Sequence, residues 1–586
     1  MLNPAIYRAG LIPALLAVII AAFSLSEPPK GVSTILAPDA FNGLRAVAVL
    51  QDLVRAYPSR RPGSAGDDRL AGEIAQTLRR RGYVVGVRTV SGGTVDGERT
   101  LKTVVARRAG SSPGQIVVLT SRDAVAPGST AQLSGTAALL ELARVFEGRR
   151  LNRTITLVST SGGSGGSAGA NEFARNPGGP VVAVLVAGDV AGRTVRRPVV
   201  VPWANGPVVA PLPLRRTVEA AMRLETGTPP GDARGFSQFA RLALPFTVSE
   251  QGEVLARGLP AVLVQASGER GPGAERSIDP DRLTTYGRAI LRSITAIDGA
   301  PANVGRPEAT ILVRTKELPE WAFRLLVLGL MLPVLLAAVD GAARARRHGE
   351  RPLAWVGWTL AGAAPFVIAL AFAWILELTG LLPAGLPAPA PPAAEPVDGA
   401  AAAAMAATVL VLVAAWAGLR PLLLRAAGIR GAPAPAGAAA GLMAVLCVIA
   451  VVVWALNPYA AALLVLPLHI WLFVAAPEVR TGRLVSAALV LVSLLPLIAV
   501  LAFELSAQGF GPLDAAWQGL LLVVGGFVGP VGSVVWCALG GVLASLGELV
   551  RAQAGVIRDV PPPKTRGPSS YAGPGSLGGT ESALRR

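Results

Sequence analysis

The sequence predicts an α/β domain with a mainly parallel sheet, set outside a membrane and followed by an all-α bundle, with about eight spans in total. Three observations predict it. Strand-like and helix-like segments alternate over residues 30–316. Long apolar runs fill residues 1–29 and 317–550. Basic residues then fall on every second connection between those runs.

Residues 9–26 (AGLIPALLAVIIAAFSLS) are apolar over the length of a span and follow Arg8, which suits an uncleaved signal anchor rather than a removed leader. Strands are expected at 83–90, 100–108, 115–121, 154–160, 181–188 and 260–266, where β-rich apolar runs stand between turn residues. Helices are expected at 44–57, 68–83, 134–148, 214–225 and 279–294, where apolar residues recur at three- and four-residue steps. Such alternation is the pattern of helices packed on a parallel sheet.

Further spans are expected at 322–340, 353–378, 400–419, 436–456, 459–476, 484–505 and 516–548. The last is too long for one simple span and is broken at Gly529-Pro530, so a kinked helix and a re-entrant pair stay open. Arg344, Arg346, Arg347 and Arg351 follow the first of these, whereas 379–399 carries no basic residue. Arg420, Arg425 and Arg430 come next, then Arg480 and Arg483, then Arg551, Arg558, Lys564 and Arg566, each group separated by an uncharged or acidic connection. The positive-inside rule then puts both termini in the cytoplasm and residues 30–316 outside a cell membrane. The Pro/Ala segment 381–396 reads as a semi-extended outer spacer, and the tail 551–586 as disordered.

Of 586 residues, 52% are hydrophobic, and mean hydropathy is +0.51, which excludes an ordinary soluble protein. The net charge of +17 is almost all arginine, with lysine only at 30, 102, 316 and 564. That bias, with abundant Ala, Gly and Val, is the composition of a GC-rich bacterial genome. A basic surface also suits anionic lipid; nucleic acid is not an expected partner. Cys447 and Cys537 lie in apolar runs, so no disulfide framework is expected.

Residues 159–170, STSGGSGGSAGA, join a strand to a helix through glycines, as phosphate-binding turns do. No lysine of the phosphate-loop kind follows, and several strands precede the turn, so a nucleotide cradle is disfavoured. The flanking segments YPSRRPGSAGDDRLAGEIAQTLRRRGYVVGVRTV, IVVLTSRDAVAPGSTAQLSGTAALLELARVFEG, TITLVSTSGGSGGSAGANEFA and VAVLVAGDVAG resemble, in order, the zinc-dependent exopeptidase family of di-zinc aminopeptidases and glutamate carboxypeptidases. The resemblance implies an aminopeptidase-like sandwich over 43–296. It also implies where zinc ligands would stand. The family's His-x-Asp falls on Ser121, Arg122 and Asp123; its bridging aspartate falls on Ala131; its paired glutamates fall on Gly163 and Ser164; a further aspartate matches Asp189. No histidine occurs before His348, so only carboxylates such as Asp123 and Asp189 are left as vestigial metal candidates.

One anchor span, an outer exopeptidase-like domain and seven spans are also similar in layout to the Gaa-type subunit of glycosylphosphatidylinositol transamidase. Together these features predict a pseudo-peptidase acting as a non-catalytic binding or scaffold module. Expected partners are the bilayer, other membrane subunits, or a peptide or lipid at the outer face. No cofactor is expected, zinc entering only if the degenerate site proves metal-competent. A membrane-bound metallopeptidase or amidase with an atypical site is one alternative. A transport-associated protein, using His469 and Glu504 within the spans, is the other.

Overall fold

A computed structural model describes residues 3–231, 235–271, 274–301, 303–383, 385–429, 435–479 and 482–559. Residues 560–586 of the expected disordered tail, with Arg430 and Arg480 of the charge pattern, lie outside the described residues.

Helix α1 (Pro4–Phe23) opens the chain, and Asn3 caps it. The α/β domain then runs α2 (Gly43–Ala56), α3 (Ala65–Arg80), β1 (Val84–Thr94), β2 (Gly97–Arg108), β3 (Ser112–Ser121), α4 (Ser134–Val145), β4 (Arg153–Thr160), α5 (Ala168–Arg175) and β5 (Val181–Ala187). It continues through β6 (Val200–Val201), α6 (Leu212–Thr226), α7 (Gly235–Ala243), α8 (Gln251–Ala256), β7 (Ala261–Val264) and α9 (Pro280–Asp298), then a hairpin of β8 (Ile311–Val313) and β9 (Lys316–Leu318). Local chemistry sets the helix ends. Ser64 accepts from the amide of Asp67 at the start of α3, with Asp67 and Asp68 in its first turn and Arg79 and Arg80 in its last, each sign facing the favourable end of the helix dipole.

All six expected strands and all five expected helices of this region form. The sheet, however, is mixed rather than mainly parallel. Its order is β1-β2-β4-β3-β5-β7-β6, parallel only across β4-β3-β5-β7 and antiparallel at both edges. The physical reason is connection length. Only two residues separate β1 from β2, too few for the crossover that parallel strands need. The parallel centre is apolar on both faces, as Ile116, Val117, Val118 and Leu119 are fully buried. Helices α2, α4, α6 and α9 pack on one another and the sheet; α3 and α5 lie against β1 and β2. The helices α7 and α8, the short β6 and the β8–β9 hairpin were not among the expected elements, although Phe236, Phe239, Ala240 and Ala243 of α7 recur at helical spacing.

The remaining helices are α10 (Glu320–Arg347), α11 (Pro352–Ala361), α12 (Ala364–Leu378), α13 (Gly399–Ala417), α14 (Leu419–Ala426), α15 (Pro435–Leu456), α16 (Pro458–Ala475), α17 (Arg483–Gln508), α18 (Pro512–Val524) and α19 (Gly529–Asp559). Among the described residues, eight helices are long and apolar enough to cross a membrane, with α11–α12 and α13–α14 each counted as one. The run at 516–548 resolves into two helices: α18, of 13 residues, is too short to span, and α19 is long enough. Helix α1 packs on α10 at small residues, where a side chain on Gly329 would come 2.7 Å from the methyl of Ala17. Ser26 and Glu317 exchange backbone hydrogen bonds of 3.2 and 2.9 Å, so the α/β domain leaves and rejoins the helices at one point.

The α/β domain docks on the helices through α7 and the segments around Phe246 and Ala309. Asn457 donates to the carbonyl of Leu242 at 2.8 Å, Tyr459 donates to that of Ala309 at 2.6 Å, and Gln508 donates to that of Phe246 at 2.5 Å. The Pro/Ala segment is no free spacer. Leu386 and Ala390 are buried between the α/β domain and α18, and Ala388 is buried as well.

Candidate functional site

The glycine-rich turn gets its shape from Gly162 and Gly166, at φ +87° and +85°, a region side chains rarely tolerate. The chain doubles back so that the amide of Ser167 bonds the carbonyl of Gly162 at 2.9 Å, and the amides of Gly163 and Ser164 point at the end of β3. What they meet is the carboxylate of Asp123. Gly163 donates to its Oδ1 at 3.0 Å and Ser164 to its Oδ2 at 3.0 Å. The hydroxyls of Ser121 and Ser164 add bonds of 2.5 Å each, one to either oxygen. The turn is an anion cradle, and the anion is the chain's own.

Ser121, Asp123, Gly163 and Ser164 thus come together in one cluster. Asp189 and Ala131 belong to another. Asp189 follows β5 and accepts from the amides of Ala191 and Gly192 at 3.0 and 2.6 Å, folding its own loop. Ser134 joins Ala131 to this loop, donating to the carbonyl of Ala131 at 2.5 Å and accepting from the amide of Val190 at 2.8 Å. Burial pushes the Asp189 carboxyl above its ordinary range, although the two amides oppose the shift. Among the described residues, no three or more His, Cys, Asp or Glu side chains gather closely enough to hold a metal ion.

Beneath the turn lies a charge network that sequence reasoning missed. Arg122 is fully buried, pairs with Asp67 at 2.7 Å, and donates to the carbonyls of Ser159, Thr160 and Lys102 at 2.7–3.1 Å. Asp67 also accepts from Ser161 at 2.6 Å and from the amide of Gly63 at 3.1 Å. Arg60 is 1% exposed and donates to the carbonyls of Arg122 and Ser129; burial lowers it to about 10. Glu250 accepts from Thr160 at 2.6 Å, and burial pushes its carboxyl up to about 8. A protonated Glu250 leaves two arginines facing two carboxylates, a balanced charge in a dry site. Glu250 also stands where a side chain at position 163 would extend: a methyl on Gly163 would lie 3.0 Å from its carboxyl carbon. No spacing in the sequence announces this, because Thr160 and Glu250 are 90 positions apart.

Within the helices, His469 is tied on both nitrogens. Nε2 donates to the carbonyl of Leu330 at 2.9 Å, which leaves Nδ1 to accept from the hydroxyl of Tyr7 at 2.6 Å. It links α1, α10 and α16.

No family model matches the chain, and no curated protein matches it. Solved structures similar to it include a glutaminyl cyclase from Porphyromonas gingivalis, 18% identical, with a TM-score of 0.33, over 44% of this chain and 99% of that one. A zinc-dependent exopeptidase from Parabacteroides distasonis is 17% identical, with a TM-score of 0.35, over 43% and 98%. A leucine aminopeptidase precursor from Bacteroides thetaiotaomicron is 15% identical, with a TM-score of 0.34, over 45% and 99%. Each is matched over nearly its whole length by less than half of this chain, and the functional reading rests on the chain's own residues.

Proposed function

We propose that the chain is a multi-pass membrane protein whose residues 30–316 act outside the cell as a non-catalytic binding or scaffold module. One observation carries this reading: both oxygens of Asp123 are spent on the turn that would have to offer catalytic groups. The zinc implied by the exopeptidase resemblance finds unsuitable donors. Ser121 and Ser164 offer hydroxyls, Ala131 and Gly163 offer nothing, and Asp189 holds its own loop. Hydrolytic zinc takes about three ligands, commonly imidazole, and an open position. The sequence's resemblance in layout to the Gaa-type transamidase subunit would suit a scaffold role, and the alternating basic connections support an outer placement of the domain.

A second reading rests on Glu250, a buried carboxyl at about 8 beside Gly163, which is the environment of a general base. It would make the chain an atypical peptidase, amidase or cyclase. Transport finds less support, since both nitrogens of His469 are engaged in joining helices.

Metal analysis of the purified full chain in nanodiscs, with turnover of aminoacyl anilides and of peptides with N-terminal glutamine, tests the proposal. We expect no stoichiometric zinc and no turnover. Turnover that Glu250→Gln abolishes would replace the first reading by the second.

A further inference from the structure

The mouth above the glycine turn is covered by the chain itself. Residues 385–391 (GLPAPAP) cross it, bending at Pro387 and Ala388, on their way from α12 to α13. The track beneath is made by glycines from three separate segments. A methyl on Gly93, in β1, would lie 2.9 Å from Pro387. One on Gly165 would lie 3.0 Å from the methyl of Ala390, and one on Gly271 would lie 2.7 Å from Pro391. Contacts that close leave room for no side chain at these positions. Three glycines far apart in sequence thus accommodate one peptide.

The peptide suits such a track. Pro387, Pro389 and Pro391 alternate with Leu386, Ala388 and Ala390, so half of its amides carry no N–H to be left unpaired on burial. Ala388 and Ala390 are 1% and 0% exposed and fill the narrow space with methyl groups. Leu386 and Ala390 also join a cluster with Trp517 and Leu521 of α18. The fixed φ of its prolines leaves such a segment less entropy to lose on binding. The occupant also has no free end, because both its termini continue into helices. The track therefore takes the middle of a chain, which a site for removing terminal residues does not.

We infer that this track is a binding groove for a proline- and alanine-rich peptide, held in cis by residues 385–391, which a partner bearing such a segment displaces. The inference rests on the non-catalytic reading and names its ligand class.

The test uses the full chain in nanodiscs. Cys447 and Cys537 are both buried, so a cysteine placed by Ala388→Cys is the reporter. It should react slowly with a membrane-impermeant maleimide. An excess of the free peptide GLPAPAPPAAEP should speed labelling about tenfold or more, whereas a Gly/Ser peptide of the same length should not. Gly165→Val should speed labelling without any peptide. In a second variant, residues 386–391 become GSGSGS, and anisotropy of the labelled peptide should show binding at least about tenfold tighter than to the wild type, whose own segment competes. Labelling that the peptide leaves unchanged, or equal effects of the two peptides, would overturn the groove. Recovery of the peptide after binding separates the two levels of the claim. A bound, intact peptide supports both; a bound, cleaved one sinks the non-catalytic reading and spares the groove; an unbound, intact one does the reverse.

Discussion

Two places in the molecule bury charge and polarity, and they treat it in opposite ways. Under the glycine turn, Arg60, Asp67, Arg122, Asp123 and Glu250 all have partners on neighbouring strands and loops. Where α17 meets α18, both carboxyl oxygens of Glu504, the carbonyl oxygen of Gln508, the indole N–H of Trp517 and the whole amide of Gln518 are buried with no hydrogen-bond partner among the described residues. Burial alone therefore says little about a site. The first set is closed because a sheet edge supplies carbonyls and amides at fixed positions. The second lies along two helices, α17 and α18, where interior backbone groups are spent on the helices' own hydrogen bonds.

The largest test of that contrast is Arg122→Met. It strands Asp67 without its counter-charge and frees three carbonyls, which should cost about 3–5 kcal/mol of stability in thermal unfolding. A loss below about 1 kcal/mol would mean that the network is not buried as a unit. Next comes Glu250→Gln. The folded state holds the Glu250 proton up to about pH 8, while the unfolded chain releases it near 4.5. Stability therefore falls as pH rises between those values and levels off above them. Glutamine should flatten that slope while keeping the bond from Thr160; parallel curves for the two proteins would refute the assignment. Smaller still is Tyr7→Phe, which leaves Nδ1 of His469 without its donor and should cost about 0.6–1 kcal/mol. Smallest is Glu504→Gln, which removes no existing bond and should change stability by about 0.5 kcal/mol or less. A large loss there would reveal a partner for Glu504 and erase the contrast.

Much of the fold was legible because it is local. The Val- and Ile-rich runs of β3 and β5 and the amphipathic period of α2 and α9 depend on neighbours a few residues away. Sheet polarity at the edges was misjudged because a two-residue connection weighs more than the surrounding alternation. In the candidate site, Ser121, Asp123, Gly163 and Ser164 were found together, since two consecutive strand ends deliver them. Their internal bonding was not foreseen, because nothing in a sequence tells whether a carboxylate faces a metal or its own backbone. Glu250 and the glycine track stayed hidden for another reason. Each is assembled from segments distant in the chain, and a lone Glu or Gly carries no period. The Pro/Ala segment misled through composition, which reports stiffness and not what the stiff chain lies against.

The paired bonds between Ser26 and Glu317 have a consequence in time. Helices α1 and α10 pack together, yet the whole of residues 27–316 separates them in synthesis. At ordinary rates of elongation α1 waits on the order of tens of seconds for its partner. During that wait it has only lipid for company. Its outward Leu11, Ile12, Leu15 and Leu16 suit it to stand alone, and its small inner face of Gly10, Ala14 and Ala17 suits it to be joined late.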